Sequence, residues 1–181
     1  MKKILLTSII LFSISCLNAQ SDHINLKSKS IVKNIDKQLV MIHDINYLFM
    51  LFDAIPTNEE KTKIEELGVV FLEYIPSNTF VVSIKKNTSI SKLYELGVIS
   101  LLEILPEYKL DPKIQNNIFP DWALKNGKLS LKTLMYNNVN IDDVIKLYKG
   151  HGFKINRINK KNKSITITIN TDELNNLSQI R

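Results

Sequence analysis

Dense apolar blocks of strand length alternate with polar stretches along most of this chain, and the clearest alternation lies between residues 45 and 111. Residues 47–52 are an unbroken apolar and aromatic run, too short for a helix, which predicts a buried strand. Thr57-Asn58-Glu59-Glu60 follows with capping-box spacing: the Thr hydroxyl can accept from the N–H three residues on, and Glu60 can reach back. The helix opened there carries Ile64 and Leu67 and stops at Gly68, a residue that tolerates the left-handed conformation. Residues 69–75 predict a second strand, Pro76-Ser77-Asn78 a turn, and residues 79–84 a third strand with Phe80, Val82 and Ile84 on one face. Asn87-Thr88-Ser89 predicts the cap of a second helix carrying Ile90, Leu93 and Leu96 and ending at Gly97. Residues 98–105 predict a fourth strand, closed by Pro106. The order is β-α-β-β-α-β, so the expected class is α+β and ferredoxin-like. Both helices should cover one face of the sheet, leaving the other free for a partner.

The pattern then restarts. Leu129, Leu131, Thr133 and Met135 alternate with Ser130, Lys132 and Leu134; Asn140 precedes a helix with Ile141, Val144, Ile145 and Tyr148. Residues 153–158 and the alternating Ile165, Ile167 and Ile169 predict two more strands, and Thr171-Asp172-Glu173 starts a last helix with Leu174 and Leu177. The expected organisation is a first module at 45–111, a linker at 112–126, and a second copy at 127–181 lacking its last strand. That copy should expose an unpaired sheet edge and be the less stable half. Trp122, in the linker, is expected to anchor against a module surface. Residues 20–44 are left unassigned, with a short amphipathic helix over 29–43 drawn from Val32, Ile35, Leu39 and Ile42.

The first residues add an address. Lys2 and Lys3 precede a mainly apolar run over 4–14, and Asn18-Ala19-Gln20 offers a small residue for cleavage after Ala19. This is the layout of a secretory signal, similar to those of secreted Bacteroidetes proteins; lipoprotein processing at Cys16 is the alternative. No later run is long and apolar enough to predict a membrane-spanning helix.

Composition then narrows the chemistry. The 181 residues include one Cys and three His, too few for a disulfide framework or a Cys-built zinc site, and no metal or cofactor is expected. The formal charge of +6 falls to +4 once Lys2 and Lys3 are removed, and the remaining basic residues are interspersed with acids. That argues against a nucleic-acid partner. His43-Asp44 and His151-Gly152-Phe153 read as structural or surface residues.

The first module resembles the N-terminal prodomain, of the fervidolysin-like type, of secreted subtilisin-like serine proteases. The matching residues are Glu66-Leu67-Gly68-Val69, then Tyr74-Ile75-Pro76-Ser77-Asn78-Thr79-Phe80-Val81-Val82, then Leu96-Gly97-Val98 and Pro106-Glu107-Tyr108-Lys109-Leu110. The resemblance implies a non-catalytic propeptide that acts as chaperone and temporary inhibitor, with a subtilisin-like catalytic domain as its partner. It singles out Gly68, Tyr74, Pro76, Asn78, Phe80, Pro106, Tyr108, Lys109 and Leu110 as motif or interface residues. Tyr74, Pro76 and Asn78 fit strand-end and turn roles better than direct protease contact, and Pro106, Tyr108 and Lys109 fit a strand terminator with its neighbours equally well. The Asp, His and Ser segments of a subtilisin triad do not occur in this sequence, so no proteolysis is expected from it. A stop inside the second copy points to an interrupted protease reading frame; the alternative is a stand-alone secreted protease inhibitor or protein-interaction module. An acylphosphatase is excluded because residues 53–56 supply neither Arg nor Gly for a phosphate loop. An RNA-recognition module is disfavoured because Phe71 and Phe80 read as core.

Overall fold

The computed structural model describes residues 23–26, 30–32 and 43–180. The signal-like segment, Cys16 and most of the predicted helix over 29–43 lie outside these residues. Where that helix was expected to begin, residues 30–32 are instead a strand.

The elements start with a hairpin of β1 (His23–Asn25) and β2 (Ser30–Val32), paired antiparallel. Next come β3 (Ile45–Phe52), α1 (Asn58–Glu66), β4 (Val69–Ile75), β5 (Thr79–Lys85), α2 (Ile90–Glu95) and β6 (Val98–Glu103). These four strands form an antiparallel sheet in the order β4-β5-β3-β6. The capping box of α1 is realised: Thr57 Oγ1 accepts from Glu60 N at 3.3 Å, and Glu60 Oε2 accepts from Thr57 N at 2.7 Å. The cap of α2 differs from expectation. Ser89 occupies the N-cap position, but its hydroxyl bonds Ser91 Oγ at 3.1 Å rather than a backbone N–H, and Thr88 Oγ1 donates to Leu67 O at 3.1 Å, tying α2 to the end of α1.

A 3-10 turn (Pro106–Lys109) leads to α3 (Pro112–Gln115) and β7 (Leu124–Lys125). Then follow β8 (Lys128–Leu134), α4 (Ile141–Gly150), β9 (Lys154–Asn159), β10 (Ser164–Asn170), a second 3-10 turn (Thr171–Glu173) and α5 (Leu174–Gln179). The second antiparallel sheet runs β7-β8-β10-β9. Residues 112–126 thus hold a helix and a strand where a linker was expected. Leu110, Ile114, Phe119 and Ala123 pack into the core of the second sheet with Leu129, Ile165 and Ile167. The chain is therefore an α+β protein built on two small antiparallel sheets.

Both faces of the first sheet are covered. On one, Met50, Val82 and Ile84 meet Ile64 of α1 and Leu93 of α2, all fully buried. On the other, Phe49, Leu51 and Val81 are buried under Ile24 of the hairpin, with Tyr108 and Tyr136 packed alongside. The face expected to stay free for a partner is thus occupied by the chain itself. Residues 79–84 show why: every one is buried, including Thr79 and Ser83, so β5 is a central strand covered on both sides rather than half-exposed. The edge expected to be unpaired is also partly covered, because β7 pairs with Lys128 and Leu129.

Candidate functional site

The residues singled out by the resemblance fall into two groups. The first sits at the β4–β5 turn, where Ser77 and Asn78 adopt φ of +72° and +53°. Asn78 fastens this turn to the end of β3: its Nδ2 donates to Asp53 O at 2.7 Å, and its own carbonyl accepts from Phe52 N at 3.0 Å. Phe80 is buried, and Tyr74, 48% exposed, meets its ring edge-on at 5.1 Å. Lys61 Nζ lies 4.7 Å from the Phe80 centroid on the helix side. Pro76 is exposed at the tip. Gly68, which follows α1 with φ +92°, lies apart from this turn at the opposite end of β4, since Val69 pairs with Ile84 while Ile75 pairs with Thr79.

The second group lies at the other end of the sheet. β3 and β6 are antiparallel, with Phe52 opposite Val98 and Leu48 opposite Glu103, so residues following β6 emerge away from the turn. Pro106 opens the 3-10 turn. Tyr108 folds back against Phe49, centroids 6.3 Å apart, and Leu110 enters the second core. Lys109 Nζ donates to Ser178 O at 3.1 Å and Ile180 O at 3.0 Å, satisfying carbonyls at the end of α5. The structure therefore does not bring the two motif groups together. One fixes a hairpin tip; the other joins the two sheets.

At that junction lies a cavity of about 710 Å³. Leu48 and Leu101 line it from the first sheet, Met135 from the end of β8, and Val144, Tyr148 and Leu177 from α4 and α5. Tyr47 and Tyr136 stack beside it, and Asn138 Nδ2 donates to Ser83 Oγ at 2.9 Å, a further tie between the halves. Burial pushes the Tyr136 phenol up to about 12, with the Glu73 carboxylate adding to the effect. Burial also raises Tyr47 and Tyr148, opposed by hydrogen bonds from Asn138 and Thr133 respectively. These phenols stay neutral at physiological pH, and the apolar walls of the cavity are interrupted by His43, Glu103, Asp111 and Lys132. Sequence reasoning missed it because its walls come from β3, β6 and β8, elements that are not neighbours in the chain. The consecutive apolar residues Leu134 and Met135, the first of them exposed, were the available signal.

The histidines take local roles. His43 N donates to Asn46 Oδ1 at 3.2 Å, and Asn46 Nδ2 returns a bond to His43 O at 2.6 Å. His151 ends α4 and stacks on Phe153 at 5.5 Å. Among the described residues no cluster of three His, Cys, Asp or Glu could hold a metal, and no helix is long and apolar enough to cross a membrane. Trp122 does not anchor a module: it is 75% exposed, in a segment where Ile118 is also exposed.

Residues 18–105 match a protein family described as a domain of unknown function, DUF8729. The matched span holds the β1–β2 hairpin and the whole of the first sheet, and ends before the 3-10 turn. No curated protein and no solved structure matches the chain.

Proposed function

We propose that this chain is a non-catalytic propeptide region of an exported subtilisin-like serine protease, acting as folding chaperone and temporary inhibitor. The observation that carries the reading is the order β4-β5-β3-β6 with all neighbours antiparallel and both helices on one face. This is the arrangement of a ferredoxin-like split βαβ unit, and residues 74–82 of the prodomain-like motif lie on its β4–β5 hairpin. The second sheet supports a duplicated unit: β9, β10 and β8 take the places of β4, β5 and β3, with α4 and α5 covering one face. There β7, which precedes β8 in the chain, sits where β6 sits in the first sheet.

The covered second face of the first sheet favours a second reading, a stand-alone inhibitor or protein-interaction module. In the prodomain family the sheet packs on the enzyme; here Ile24, Tyr108 and Tyr136 already occupy that face. The exposed part of the motif is the tip with Tyr74 and Pro76.

One experiment separates the readings. The purified chain is added to a denatured subtilisin-type catalytic domain during refolding, and to the folded enzyme. A propeptide speeds recovery of activity and slows hydrolysis. A stand-alone inhibitor slows hydrolysis without changing refolding. No effect of either kind at micromolar concentration overturns the protease reading.

A further inference from the structure

The outer edge of β8 is divided in two. On its inner side β8 pairs with β10 from Lys128 to Leu134. On its outer side β7 pairs with Lys128 and Leu129, and Ala123 O accepts from Ser130 N at 2.8 Å. Successive residues of a strand aim their N–H and C=O groups to opposite sides. The Ser130 bond therefore fixes the direction for the rest: even-numbered residues of β8 point away from β10. Met135 N, which donates to Lys163 O at 2.9 Å beside β10, obeys the same alternation. Lys132 and Leu134 thus present main-chain donors and acceptors to a side where, among the described residues, no strand pairs with them.

That side is the cavity. Residues 131–135 line it consecutively, and because side chains alternate between faces, consecutive lining means that the strand meets the cavity edge-on. Residues 101–104 of β6 and its exit, the outer strand of the first sheet, line it in the same way. Two sheet edges share one apolar space of about 710 Å³, within the range of ordinary ligand pockets.

We propose that this cavity takes an extended peptide strand from a partner polypeptide, added antiparallel to β8 in continuation of β7 and paired with the main chain of Lys132 and Leu134. An unpaired edge recognises backbone amides, which a hydrocarbon ligand lacks. The seat is continuous with an existing one, since β7 already occupies the first part of this edge. The free stretch of four residues is about 13 Å long. The peptide's apolar side chains, at alternate positions, meet Val144, Tyr148 and Leu177, and an acidic residue beside Lys132 adds charge complementarity. This inference does not depend on the protease reading.

The test uses the full chain and a synthetic peptide copying Val98–Glu103, which holds the corresponding place beside β3 and ends in an acid. A second peptide of the same sequence is N-methylated at alternate residues. The first peptide should slow amide exchange at Lys132 and Leu134 by about tenfold or more, and the methylated one should not. Lys132→Pro removes an outward N–H without touching the bonds to β10, and should weaken binding about tenfold; Lys132→Ala loses only the charge contact and should weaken it by about twofold. Equal binding of the methylated peptide, protection elsewhere in the chain, or no binding at millimolar concentration overturns the proposal. The peptide pair keeps the test decisive if Lys132→Pro fails to fold.

Discussion

Tyr136 lies flat on Tyr47, with ring centroids 5.5 Å apart and planes 20° from parallel. This contact joins the loop after β8 to the first strand of the other sheet, and it sets a pH dependence. The Tyr136 phenol is held at about 12 against an ordinary 10.0. A raised value means that the fold prefers the protonated form, so its contribution is complete below pH 10 and is lost as pH rises towards 12. Thermal stability should sag over that interval, and Tyr136→Phe should flatten the sag. Ultraviolet titration of the folded chain should show Tyr136 as the latest of the raised phenols, after Tyr47 and Tyr148, and this variant should remove that last step.

Ile24 is fully buried against the first sheet. Ile24→Ala leaves a cavity between hairpin and sheet and should cost about 2–4 kcal/mol, read from denaturant unfolding. A change under half a kcal/mol would show that the hairpin does not dock.

Lys109 bonds two carbonyls at the end of α5. Lys109→Met keeps the apolar stem but removes the donor, with an expected cost of about 1 kcal/mol. Amide exchange in α5 should quicken more than in α1, which has its own capping box.

Two glycines should answer oppositely to alanine. Gly68 has φ +92°, where a side chain is strained, and its added Cβ would meet Lys85 Cδ at 3.4 Å. Gly68→Ala should cost about 1–2 kcal/mol. Gly150 closes α4 with open space around it, and Gly150→Ala should gain about 0.5–1 kcal/mol.

The exposed indole of Trp122, the only Trp in the chain, gives a spectroscopic check. Its emission should already lie at the unfolded wavelength, and acrylamide should quench it equally in native and denatured protein. A blue-shifted native spectrum would mean that the residue is covered.

Much of this fold was legible because its signals are local. The Thr57–Glu60 box, the Ser77–Asn78 turn and the Ile165, Ile167 and Ile169 alternation each depend on neighbours within a few residues. The first core was equally readable, since Phe80, Val82 and Ile84 declare their face by period. What escaped reading lies in pieces of two or three residues. β7 has no periodicity to detect, and β1 shows only Ile24 as an apolar centre. Alternation also misled at β5: Val81, between the polar Thr79 and Ser83, looked like an outward position, yet that face is as buried as the other. The candidate site divided for a related reason. Motif residues adjacent in a sequence comparison become distant when β6 carries the chain from one end of the sheet to the other, and only the register shows it.

The hairpin over the first sheet also orders events in time. Ile24 is synthesised early, but Phe49, Leu51 and Val81, which bury it, follow in the next several dozen residues. The hairpin that carries Ile24 must therefore wait, with that side chain uncovered, until β5 has been made. In this chain the beginning is finished late, and that waiting interval is when a chaperone or an aggregation partner has its chance.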